Sequence, residues 1–163
     1  MKFDSIPDLK AEGFVGFTRI GELMAGQCHL DGCEKGFLLL VTYTKKVHPE
    51  FLRVGTGGPY KEGDPNVRIE TLESAWVEGA LVVYIGCTSR TLNERIEELI
   101  KFGQGQKIGH GGGRYLWQIS DSRELCVGWK PLPDDKDPKQ EKRCLLREFR
   151  KEYGKPPFAN LKG

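Results

Sequence analysis

Two runs of almost unbroken apolar residues stand out along an otherwise polar chain. Gly36–Thr44, GFLLLVTYT, is rich in β-branched and aromatic residues and ends at the basic pair Lys45 and Lys46. Gly79–Gly86, GALVVYIG, has the same character and is bracketed by glycines. Runs of this length and composition read as buried strands, and two of them are expected side by side in the middle of a sheet. After the second run the period changes from continuous to helical. Leu92, Ile96, Leu99 and Phe102 fall on one stripe, Thr91 and Glu94 have capping-box spacing, and Gly103 stands where a helix stops. The segment is an amphipathic helix.

Further along, the glycine-rich GQGQKIGHGGG leads into a predicted strand over Arg114–Ile119, and ELCVGWKPL predicts another. PLPDDKDPKQ is a solvated turn. KQEKRCLLREFRKEYG is a helix whose core face is Leu145, Leu146, Phe149 and Tyr153, and KPPFANLKG is the tail. Between the two apolar runs, residues 45–78 are dense in Gly, Pro and Asp and form a long inserted surface loop. Its most regular part, PNVRIETLESAW, is a short helix or strand over the sheet edge. The sum is one α/β (α+β) domain over residues 1–163, a small, mainly antiparallel sheet flanked by helices, with an N-terminal extension at 1–35.

Composition narrows this picture. No stretch of about 18 apolar residues exists, and the first fourteen residues lack a signal-peptide core, so a cytoplasmic protein is expected. The five cysteines are odd in number and scattered, which argues for free thiols rather than a disulfide framework. Cys28 and Cys33 have no second ligand pair at zinc spacing. Net charge is only +2, but it is unevenly spread. Residues 1–83 carry 9 Lys/Arg against 12 Asp/Glu, and residues 84–163 carry 16 against 11. An anionic partner is expected at the second half.

The order of particular residues adds a resemblance. Gly36, Phe37 and Leu38 open one strand, and Tyr84, Ile85 and Gly86 end the next. Arg95 lies on the following helix, glutamates lie on a later one, and Asn160 closes in PPFAN. This order resembles the GIY-YIG nucleases from Gly36 to Asn160. The resemblance implies an endonuclease of restriction, repair or defence type that hydrolyses DNA phosphodiester bonds with Mg²⁺ or Mn²⁺. It also implies roles: Tyr84 activating water, Arg95 clamping phosphate, a glutamate binding the metal, and Asn160 orienting the site. Arginine suits its task because its planar fork gives two hydrogen bonds to phosphate oxygens. The glutamate is Glu141 on helical phase, with Glu148 and Glu152 as alternatives on nearly the same stripe.

Leu38 stands where the first motif ends in tyrosine, and leucine cannot relay a proton. Tyr43 is an odd number of residues further on, hence on the opposite face. Tyr84 itself, His48, His110 or the metal are the substitutes left open. His110 and Arg114 in GHGGGRY, and Lys61 in GTGGPYK, are phosphate-binding candidates beside glycine-exposed backbone. Singly, each of these residues reads as ordinary core or surface. A catalytically inactive nucleic-acid-binding module of this fold, or a protein-interaction domain using the basic C-terminal helix, are the alternative functions.

Overall fold

The computed structural model describes residues 1–26, 34–61, 63–108 and 111–161. In chain order the elements are α1 (Ile6–Ala11), β1 (Val15–Arg19), α2 (Ile20–Met24), β2 (Lys35–Thr42), α3 (Ile69–Ala75), β3 (Val82–Thr91), α4 (Leu92–Gly103), α5 (Gly111–Leu116), β4 (Cys126–Pro131) and α6 (Pro138–Tyr153). A short 3₁₀ turn at Ser122–Glu124 precedes β4. The four strands form one antiparallel sheet in the order β1-β4-β2-β3.

Alternate residues of β2 serve two cores. Phe37, Leu39 and Val41 point to the face covered by α4, with Tyr43 just beyond them. Leu38 and Leu40 point to the face covered by α6 and the N-terminal segment, through Phe149, Leu146, Phe3 and Leu9. A strand buried on both faces needs apolar residues at every position, which is why its sequence shows no alternation. On α4, Leu92, Ile96, Leu99 and Phe102 are buried against the sheet. Burial contributes about 1.5–3 kcal/mol for each such side chain, enough to hold a helix of 12 residues that would be marginal alone in water. The capping box is formed: the Thr91 hydroxyl accepts from Glu94 N and the Glu94 carboxylate accepts from Thr91 N, both at 3.3 Å.

Two expectations are corrected. The two apolar strands do pair, but only β2 is central. β3 is an edge strand, apolar because helices cover both its faces. The strand expected at Arg114–Ile119 is instead helix α5 followed by turns, with Trp117 N bonded to Gly113 O at 2.9 Å. Leu116, Trp117 and Ile119 are all buried, and so short a segment carries too little periodicity to separate helix from strand. The N-terminal 35 residues contribute α1, α2 and the outer strand β1, which pairs with β4 across a bulge at Gly16–Thr18. They are part of the domain rather than an appendage. No described helix is long and apolar enough to cross a membrane.

Candidate functional site

Tyr84 lies on β3 and turns to the α4 side of the sheet. Its ring runs along the strand over Gly86 and beneath α5. A Cβ on Gly86 would come within 2.8 Å of the ring, and one on Gly112 within 2.7 Å. Both glycines are therefore the walls of a slot that only hydrogen can line. One turn into α4, Arg95 donates to the Tyr84 hydroxyl at 3.1 Å and to Glu98 Oε2 at 3.1 Å. Glu98 also pairs with Arg90 at the end of β3, so one carboxylate is shared by two guanidinium groups. Burial pushes the Tyr84 phenol up from its ordinary value, and the Arg95 charge opposes that rise without cancelling it.

Asn160 is buried and completely engaged. Its Oδ1 accepts from Ile85 N at 2.9 Å and its Nδ2 donates to Ile85 O at 2.8 Å, while Ala159 N donates to Val83 O at 2.8 Å. The tail thereby hydrogen-bonds the β3 edge at Val83 and Ile85, and the Asn160 amide holds the backbone beside Tyr84.

Two openings border this constellation. A hollow of about 440 Å³ is lined by Cys87–Arg90, Arg95 and Asp137–Lys139. A smaller one, about 190 Å³, is lined by Tyr60, Tyr84, Gly112, Lys142 and the tail Ala159–Leu161. Arg90, Arg95, Lys139 and Lys142 supply positive charge around them. Tyr84 lines one opening and its partner Arg95 the other.

The remaining sequence candidates fall in different places. Leu38 faces the α6 side, in the second core. The residue directly across from Tyr84 is Val41, which carries no proton-relaying group either. Tyr43 belongs to the first core, opposite in facing to Leu38 as its spacing requires, but its hydroxyl is bonded to Asp121 at 3.2 Å. His48 sits between Glu73 and Glu78 on the inserted segment. Arg114 lies with its guanidinium 4.2 Å over the ring of Tyr60, and Lys61 is 5.5 Å from the same ring centre. His110, with Cys28 and Cys33, lies outside the described residues.

Of the three glutamates, Glu148 pairs with the Met1 amine and Lys151, and Glu152 is close enough to Asp4 for its carboxyl to be held above the usual range, chiefly by burial. Both are turned to the N-terminal segment, away from Tyr84 and Arg95. Glu141, one turn before Leu145 on α6, is half-buried and forms no side-chain hydrogen bond or ion pair among the described residues. It lines neither opening. Glu141 by itself does not make a divalent-cation site. No group of three or more His, Cys, Asp or Glu side chains that could hold a metal is found among the described residues, so a cation at Glu141 would keep water and substrate oxygens in most of its positions.

Tyr60 and Lys142 were not singled out in the sequence. Neither carries a motif, and they meet Tyr84 only because the inserted loop and α6 close on the same edge of the sheet. Set against protein-family models, curated proteins and solved structures, the chain matches none of them. The likeness to GIY-YIG nucleases thus stands on the order of its residues.

Proposed function

We propose that the chain is a GIY-YIG-type, metal-dependent endonuclease that hydrolyses phosphodiester bonds in DNA, in restriction, repair or defence. The observation that carries this reading is the hydrogen bond between Arg95 and Tyr84 at a cationic strand edge. Arg95 uses two of its nitrogens on Tyr84 and Glu98, and these fix the plane of the guanidinium. Its other N–H groups are available to a phosphate in the larger opening, where a held cation stabilises the charge that develops as water adds to phosphorus. Tyr84 keeps its proton at neutral pH as an ordinary phenol does, and burial raises its pKa further, so it orients Arg95 with a neutral hydroxyl. Glu98 and Asn160 are positioning residues, the first for Arg90 and Arg95 and the second for the edge of β3. Glu141 would hold Mg²⁺ or Mn²⁺, which when bound supplies charge neutralisation at a phosphate oxygen.

A second reading, a DNA-binding module without cleavage, is favoured by one observation. Val41 stands opposite Tyr84, so the strand pair offers only one phenol, and that phenol is held neutral.

The test is supercoiled plasmid incubated with the purified protein and Mg²⁺ or Mn²⁺, beside Arg95→Ala and Glu141→Ala. Nicking or linearisation that falls by about two orders of magnitude or more in both variants supports the endonuclease. Salt-sensitive binding without cleavage by either metal selects the binding module, and neither binding nor cleavage overturns both.

A further inference from the structure

The smaller opening contains a residue with no place in the reading above. Tyr60 comes from the inserted loop, far from β3 in sequence, yet it lines the same hollow as Tyr84, Lys142 and Asn160. The loop that brings it there is fixed along its length. Gln118 is buried and uses its whole amide on it: Oε1 accepts from Val67 N at 2.6 Å, and Nε2 donates to Leu52 O and Val67 O at 2.9 and 2.8 Å. Gly58 N donates to Phe102 O at 2.8 Å, and a Cβ on Gly58 would fall 2.1 Å from Gln106 O. Backbone is thus laid directly on backbone two residues before Tyr60. A tight pairing of Tyr60 with Gly63, at 3.1 and 2.9 Å, then closes the tip.

The chemistry of the ring is also set. Arg114 lies 4.2 Å over it and Lys61 5.5 Å away, so its π-face is taken up by cations and is not an open platform for a base. Tyr60 lines the hollow, and its phenol hydroxyl is the group that could donate to an anion there. Beside it stand the Lys142 ammonium and the phenol of Tyr84.

We infer that Tyr60 is a substrate-contacting residue: its hydroxyl donates to a phosphate oxygen of the nucleotide strand next to the phosphate held by Arg95. This rests on the proposed phosphodiester-binding function and extends it, because it makes the inserted loop a wall of the site and gives the chain a two-phosphate grip along β3.

The experiment is fluorescence anisotropy of a labelled DNA duplex, titrated without divalent metal over a series of salt concentrations. Wild type is compared with Tyr60→Phe, Arg95→Ala and Tyr60→Ala, and thermal unfolding of each is recorded alongside. Tyr60→Phe keeps the ring and its cations and removes only the hydroxyl. It is expected to weaken binding about tenfold with an unchanged unfolding midpoint and an unchanged salt slope, since no charge is lost. Arg95→Ala is expected to weaken binding and also to flatten the slope of log K against log salt by about 0.9. Binding by Tyr60→Phe within twofold of wild type, with Arg95→Ala impaired, overturns the inference and leaves the parent reading standing. Loss in Tyr60→Ala but not in Tyr60→Phe does the same, because it assigns Tyr60 a structural role. Wild type that does not bind DNA overturns both.

Discussion

Tyr84 is buried yet hydrogen-bonded to a cation, and the two facts push its proton in opposite directions. Burial prevails, so the phenol, neutral near pH 7 even at its ordinary value, is held still further from ionisation, and the arginine carries the charge of the pair. His48 shows the reverse balance. Its two ring nitrogens lie 2.6 Å from Glu78 and 2.5 Å from Glu73, and its pKa is raised, first by the bond to Glu78. A histidine whose folded pKa is raised contributes stability that is complete below its unfolded value of about 6.5 and disappears as pH rises through the folded value. Thermal unfolding across that window is expected to show wild type above His48→Gln at pH 6 by roughly 1–3 °C, a small gap because the ring is largely exposed. The two curves should merge at pH 9, and a gap that persists there would remove the imidazolium from the explanation. At this scale the sequence was partly readable. Tyr84, Arg95 and Asn160 were singled out by their order alone, and the fold brings them to one strand edge. Lys142 was not singled out, because a lysine on a basic helix looks the same whether it faces solvent or a hollow.

Helix α5 illustrates how an element is decided by what it touches. Its sequence, Gly111 to Leu116, begins with three glycines and is a poor helix by propensity. It forms because Leu116 and the following Trp117 are buried and the Trp117 indole donates to Leu99 O at 3.1 Å, pinning the turn to α4. None of this is local, which is why the run read as a strand. By contrast the cap and apolar stripe of α4 were legible in its own sequence, while its end was not. Gly103, expected as the stop, is the last helical residue and Gln104 is the cap, the glycine being needed where the Trp117 ring packs against the place of a Cβ. The glycines of α5 make a further expectation testable. Gly112→Ala would gain about 1 kcal/mol of helix propensity. Its methyl would meet the Tyr84 ring at 2.7 Å and Ala159 O at 2.9 Å, and overpacking of that kind costs about 1–3 kcal/mol. The clash is expected to win. Chemical denaturation should show a net loss of stability, and binding to DNA should weaken as Tyr84 shifts against Arg95. An unchanged or higher midpoint would mean that α5 gives way more easily than its contacts imply.

Over the whole molecule the sheet supplies the frame, and the candidate site lies along its edge strand β3. Arg90, Arg95, Lys139 and Lys142, which border the two openings, all belong to the half of the chain with the positive balance. The antiparallel α+β architecture was readable from two apolar runs and two amphipathic helices. The strand order was not, because β1 is short, bulged and half-exposed and carries no pattern of its own. The tail from Phe158 to Asn160 has a consequence for the chain among its own copies. A sheet edge with free N–H and C=O groups recruits other strands, and the doubly bonded Asn160 amide imitates such a strand within the molecule. Ending the chain after Pro157 would leave Val83 and Ile85 without those partners and uncover the apolar β3. The shortened protein is expected to self-associate through strand addition, seen as a concentration-dependent shift in size-exclusion elution that the intact chain does not show. The segment from Phe158 to Asn160 is, on this view, an internal guard that shields this stretch of the sheet from the next copy.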